Sequence, residues 1–276
     1  RCKLSRNQDR LGGVHQRDAS PPPQDGGGFS FVVPTEFVDL PSQGRFYPEG
    51  HPLHNEDSIE IKQMTAKEED ILTSRTLLKK GVALDRLIQS LIVDKSIDPT
   101  ALLVGDRNAI IISARISGYG NNYETSVKCP ACETKQKYSF DLNSANIVPG
   151  ETRSDLEATD NGDGTITCIL PRTQIEVVVR LLTGKEEKSL ANLSKSDNLV
   201  SRQLESIIVS ANGDKSKKAI QYVATNLPSI DSRHLRMVLK EATPNVDLTQ
   251  KFSCTECGHE QEMEVPLTAD FFWPDR

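Results

Sequence analysis

Apolar and polar residues alternate on both sides of two cysteine pairs, and the two patterns share one frame. Val127 stands two residues before Cys129, and Phe252 two before Cys254. Tyr138, Phe140 and Leu142 follow Cys132 at the offsets at which Met263, Val265 and Leu267 follow Cys257. Period two predicts a strand on each side of each pair, hence two similar hairpins with the cysteines at their turns. Helical spacing dominates elsewhere. Thr65-Ala66-Lys67-Glu68 is a capping box that predicts a helix ending near Lys80, with Gly81 in the left-handed position after it. Leu84, Leu87, Ile88, Leu91 and Ile92 mark a second amphipathic helix, and a third is expected from about Asp106 to Ser117, closed by Gly118. Before the first of these helices, Ser58 to Met64 reads as a strand with Ile59 and Ile61 on one face.

The stretch between the cysteine pairs has its own pattern. Asp160-Asn161-Gly162-Asp163-Gly164 is a tight turn leading into strands at Thr165–Leu170 and Gln174–Leu182, where Ile175, Val177, Val179 and Leu181 alternate. Thr183-Gly184-Lys185-Glu186 is a second capping box, and helices are expected at 184–193, 198–211 and 215–226. Asp231 or Ser232 would cap a last helix through Ala242, before a strand through Val246 and Leu248 returns to the second pair.

Residues 31–52 are too proline-rich for a helix and too apolar for a free linker. Pro34, Pro41, Pro48 and Pro52 predict an extended arm whose Phe37, Leu40, Phe46 and Tyr47 need a surface to lie on, either their own domain or another subunit. The predicted fold class is α+β: a helical unit and a four-cysteine zinc ribbon split by an inserted α/β unit, with an extended N-terminal arm. Its parts are a disordered tail at 1–30, the arm and strand at 31–64, the helical unit at 65–118, ribbon halves at 119–142 and 246–273, and the insert at 143–245.

Two thiols separated by two residues at a hairpin turn aim at one point, and two such hairpins supply the four thiolates of a structural Zn2+ site. Cys129, Cys132, Cys254 and Cys257 are the candidate ligands. Redox pairs normally open a helix, whereas period-two segments follow both pairs here. No stretch resembling a secretory signal opens the chain, so reduced thiols free to take metal are expected rather than disulfides. Glu133 stands where Gly258 follows the second pair, which predicts a strained or wider first knuckle. Cys168 reads as a buried strand residue and Cys2 as part of the tail.

Composition narrows the function. The 276 residues are 36% hydrophobic and carry a formal net charge of −6, and no apolar run approaches the roughly 18 residues of a membrane helix. An acidic chain is a poor general binder of polyanions. Lys128, Lys135, Lys137 and Lys251 near the knuckles are countered by Glu133, Glu256, Glu260, Glu262 and Glu264, which leaves a zinc-ribbon nucleic-acid module as the weaker alternative. The five histidines are scattered, and neither a metalloprotease, serine-hydrolase, phosphate-loop nor dinucleotide motif occurs. A calcium loop counted from Asp160 fails because its twelfth place is Pro171. No enzymatic constellation is legible.

The run Val33-Pro34-Thr35-Glu36-Phe37-Val38-Asp39-Leu40-Pro41-Ser42-Gln43-Gly44-Arg45-Phe46-Tyr47-Pro48, followed by His51-Pro52-Leu53, resembles the baseplate hub protein family of T-even-like contractile-tailed phages. So do Met64-Thr65-Ala66-Lys67-Glu68-Glu69-Asp70-Ile71-Leu72, Leu102-Leu103-Val104-Gly105-Asp106 and the first cysteine pair. The likeness is close over residues 31–142 and holds in outline beyond them; residues 1–30 and Glu133 depart from it. The resemblance implies a structural or assembly role in a phage tail baseplate, in the virion or in the host cytoplasm during assembly. Its implied partners are other hub or tail proteins, with self-association open and neither membrane nor nucleic acid expected.

Overall fold

The computed structural model describes residues 32–152, 154–193, 198–266 and 269–272, so the tail expected at 1–30 lies outside the described residues. Helices and strands are mixed in an α+β arrangement around one contiguous apolar core. Strand β1 (Thr35–Asp39) pairs antiparallel with β2 (Ser58–Lys62), burying Val38, Ile59 and Ile61 on one face. The Thr65–Glu68 capping box then opens α1 (Ala66–Thr73), with the Glu68 carboxylate accepting from the Thr65 N–H at 3.0 Å.

The helix expected to reach Lys80 breaks at Ser74. That residue is extended, at ψ 105°, and its hydroxyl accepts from the Leu77 N–H to start the short helix α2 (Arg75–Lys79). A serine there is a better N-cap than helix interior. Helix α3 (Ala83–Leu91) buries Leu87, Ile88 and Leu91, and α4 (Val104–Tyr119) continues past Gly118 to end at Gly120, φ 81°. Gly118 is therefore an interior helix residue, and a Cβ there would make ordinary contact with the Met64 sulfur at 3.4 Å.

From α4 the chain enters the first cysteine hairpin, β3 (Asn122–Lys128) and β4 (Lys135–Asp141), and then the short β5 (Asn146–Val148). Strands β6 (Ala158–Asp160), β7 (Thr165–Ile169), β8 (Glu176–Arg180) and β9 (Ile208–Ala211) form a four-stranded antiparallel sheet in that order. Helices α5 (Gly184–Leu193) and α6 (Leu199–Ile207) lie between β8 and β9 in sequence. Helix 198–211 was expected to be continuous, but its last four residues leave the helix as β9. The β-branched Ile208 and Val209 meet an unpaired edge of β8, and a sheet partner outweighs local helical spacing. Helices α7 (Lys217–Asn226) and α8 (Ser229–Ala242) follow. Strand β10 (Asn245–Asp247) pairs with β5, and β11 (Thr249–Ser253) with β12 (Glu260–Glu264) in the second cysteine hairpin.

The chain repeats itself. Thr35↔Lys62, Phe37↔Glu60 and Val38↔Ile59 in the first hairpin match Thr165↔Arg180, Thr167↔Val178 and Cys168↔Val177 in β7–β8. Ile61 bridges Ile92 as Val179 pairs with Ile208. Both capping boxes begin four residues after those matched positions, at Thr65 and Thr183, and the Thr183 N–H donates to Glu186 at 3.1 Å. Leu40-Pro41-Ser42-Gln43 leaves β1 and Leu170-Pro171-Arg172-Thr173-Gln174 leaves β7, with both glutamines left-handed at φ 52° and 56°. Asp106 precedes Cys129 by the 23 residues that separate Asp231 from Cys254. The stretch expected as an insert thus carries the front half of a second hairpin–helix–cysteine unit.

One aspartate closes each unit in the same way. Asp106, fully buried in the first turn of α4, accepts from the Ser42 N–H (3.0 Å), the Ser42 hydroxyl (2.6 Å) and the Tyr47 hydroxyl (2.7 Å). Asp231, expected as a helix cap, sits inside the first turn of α8 behind the cap residue Pro228. It is fully buried and accepts from the backbone N–H of Arg172 (2.8 Å) and Thr173 (3.0 Å) and from the Thr173 hydroxyl (2.7 Å). Each carboxylate ties the turn after a strand to the helix that leads into a cysteine hairpin.

Candidate metal centre

Each cysteine pair is held by the same backbone bonds. The Cys129 N–H donates to the Thr134 carbonyl at 2.9 Å and the Glu133 N–H to the Cys129 carbonyl at 2.9 Å. In the second hairpin the Cys254 N–H donates to His259 at 2.9 Å and the Gly258 N–H to Cys254 at 3.0 Å. The first knuckle is not wider than the second. Glu133 instead adopts the left-handed φ of 61° that Gly258 takes at 70°, so it carries strain that the glycine does not.

The two turns converge. Cys129 Sγ lies 3.7 Å from Cys257 Sγ and Cys132 Sγ 3.7 Å from Cys254 Sγ, and all four sulfurs lie within 4.8 Å of one another. A tetrahedron with zinc–sulfur bonds of about 2.3 Å has sulfur–sulfur edges of about 3.8 Å, so the donor set fits that ion in number, element and spacing. The sulfurs are much farther apart than the roughly 2.0 Å of a disulfide. Cys129 and Cys254 are buried, while Cys132 and Cys257 face solvent, which puts the cluster at a rim with one wet side.

Electrostatics at the cluster favour a cation. The Thr134 hydroxyl and N–H, followed by Cys257, pull the exposed Cys132 thiol down to about 6. Cys257 is favoured as a thiolate by the His259 backbone N–H, yet its thiol is pushed up to about 12 by the neighbouring Cys132 and then by desolvation. Sulfurs this close oppose one another's ionisation, and a dication between them removes that opposition. His259 is turned toward Gln261, 3.3 Å away, and is no member of the cluster. Cys168 is buried in β7, where desolvation pushes its thiol up to about 11 and leaves it inert.

Side chains lock the two hairpins together beside the sulfurs. Gln136 donates to the Ser253 carbonyl (3.2 Å) and accepts from the Thr255 N–H (3.1 Å), while Gln250 spans Asp141 by both backbone groups (2.8 and 3.1 Å). Tyr138 packs between Phe140 and Phe252, at 4.9 and 5.1 Å between ring centroids, and donates to the Lys251 carbonyl. Arg115, fully buried on α4, donates to the carbonyls of Phe271, Gly120 and Asn122, tying the C-terminal turn to the base of the first hairpin. Sequence reasoning missed Arg115 and the tertiary roles of Asp106 and Asp231; the equal spacing of the two aspartates from the cysteines was the signal that could have found the latter pair.

The residues expected to touch a partner separate. Leu40, Phe46 and Tyr47 are buried in the chain's own core, so the arm folds back on its own domain and these three offer no docking surface. The physical reason is Asp106, which holds Tyr47 while the Tyr47 oxygen accepts from the Leu103 N–H at 3.1 Å. Phe37 alone of the four is exposed, at 67%. No described helix is long and apolar enough to cross a membrane.

Comparison with known proteins gives one family, described as T4 bacteriophage base plate protein, whose model matches residues 34–273. No curated protein and no solved structure matches the chain.

Proposed function

Because the chain belongs to the T4 bacteriophage base plate protein family, we propose that it is a structural or assembly component of the baseplate hub, working by protein–protein docking. Within it, one structural Zn2+ on Cys129, Cys132, Cys254 and Cys257 staples the two repeated units to each other. The convergence of four sulfurs from hairpins far apart in sequence carries this reading, since the spacing suits a tetrahedral dication. Four thiolates leave no open position for a water, so the ion's role is to hold rather than to react. Its partners are other hub or tail proteins, reached in the virion tail or in the host cytoplasm during assembly.

Two measurements test the proposal. Metal analysis of purified protein should give one zinc per chain, lost in Cys129→Ser. Isolation of the tagged protein from phage-infected cells should bring down hub or tail-tube proteins. Purification without metal would refute the staple, and salt-sensitive retention of DNA or RNA in place of tail proteins would refute the docking role. The nucleic-acid reading gains little from the surface: Lys128 is already paired with Glu133 at 3.1 Å.

A further inference from the structure

The two units differ at one sheet edge, and the second shows what the first leaves open. In the ladder of β1 with β2, the Leu40 N–H donates to the Asp57 carbonyl (2.8 Å) and the Gln63 N–H to the Pro34 carbonyl (2.9 Å). Even-numbered residues of β1 therefore face β2. By the alternation of an antiparallel ladder, Thr35, Phe37 and Asp39 turn their N–H and C=O groups to the other side. Among the described residues nothing accepts or donates there. In the second unit the matched positions Thr165, Thr167 and Ile169 belong to β7, whose outer edge is covered by β6, with Thr159 opposite Thr167.

Among the described residues the first edge is not closed in the same way. β6 reaches β7 through a tight turn ending at Gly164, φ 80°, whose carbonyl accepts from the Leu181 N–H at 2.9 Å. Pro34 occupies the matched place, its carbonyl accepting from Gln63, and a proline ring locked near φ −65° cannot adopt that turn. An exposed edge carrying an exposed aromatic invites an added strand.

We propose that this edge is filled by β1 of a second copy of the chain, antiparallel about a twofold axis at Phe37. The three edge residues are self-complementary. Phe37 meets Phe37 of the second copy, and Thr35 meets Asp39 of the second copy with its hydroxyl donating to the carboxylate. The exposed faces also agree in charge. Across the joined sheet one row reads Ser58, Asp39, then Thr35 and Lys62 of the second copy, and the central row holds the two phenylalanines between Glu60 side chains, so no like charges adjoin. The contact is small, so the dimer is weak. This association is independent of the metal.

Sedimentation of the full zinc-loaded chain over a wide concentration range tests it, read with amide exchange by NMR. The expected result is a monomer–dimer equilibrium in which the Thr35, Phe37 and Asp39 amides gain protection with concentration. Phe37→Lys should weaken dimerisation at least tenfold. Phe37→Pro should do the same while staying folded, because the N–H it removes faces away from β2. Tyr222→Lys, at another exposed aromatic, should leave dimerisation unchanged. A monomer at every concentration overturns the proposal, as does a dimer indifferent to Phe37→Pro. Protection of these amides only on addition of another baseplate protein would overturn it in favour of a foreign strand.

Discussion

The two repeated units solve one packing problem with different local chemistry. Both tie a post-strand turn to a helix through a buried aspartate, both start a helix with a capping box, and both end in a cysteine hairpin. They diverge where packing does not dictate the residue: a glutamate against a glycine at the knuckle, and a sheet edge that is open among the described residues against one that is covered. The first unit also wraps the arm from Leu40 to Leu53 onto its core, whereas the second inserts α7. The recurring features sit where buried polar groups or orphan backbone groups must be satisfied; the variable ones sit at the surface.

The harshest way to break the likeness is to remove the zinc proposed to join the halves. Chelation, or Cys254→Ser, should lower stability by several kcal/mol and loosen the two cysteine hairpins first, read as loss of bound zinc and of amide protection in β3, β4, β11 and β12. Next in size are the aspartates. Asp231→Ala strands two backbone N–H groups and a hydroxyl, and should cost about 3 kcal/mol in urea denaturation. Asp106→Ala should cost more, because Tyr47 and the arm lose their anchor as well.

The pH dependence of Asp106 sharpens the comparison. Burial raises its carboxyl above the ordinary value, against the opposing hydrogen bonds from Ser42 and Tyr47. The folded state therefore holds the proton to higher pH than the unfolded state does. This contribution to stability is greatest below the ordinary carboxylate pKa and falls as pH rises through the raised one. Wild type should accordingly lose stability relative to Asp106→Asn as pH climbs from about 4 toward neutrality, measured as denaturation midpoints. Smallest is the knuckle pair. Glu133→Gly should stabilise by about 1 kcal/mol and Gly258→Glu destabilise by about the same, since a Cβ at 258 meets no atom within 4 Å and only backbone conformation changes. Thermal melts of the zinc-loaded protein would read both.

Much of this was legible in the chain. The capping boxes at Thr65 and Thr183, the turn before Thr165, and the alternation around the cysteines each rest on contacts between near neighbours, which sequence spacing encodes. The break at Ser74 was missed although a serine N-cap was there to read. The conversion of Ile208–Ala211 into a strand was not legible, because it depends on a free edge of β8 presented by a distant segment. Nor did the sequence decide between their own domain and another subunit for Leu40, Phe46 and Tyr47, whose burial involves a carboxylate on α4 some sixty residues on.

By itself the sequence determined most of the element types, the four candidate sulfur donors and the family likeness, since period, caps and motif spacing are local properties of a chain. Only the tertiary structure decided that the four sulfurs lie within 4.8 Å of one another, that Leu40, Phe46 and Tyr47 lie inward and that one strand edge is bare among the described residues. Those outcomes depend on which distant surfaces meet, and burial and backbone hydrogen bonding are settled by the whole fold.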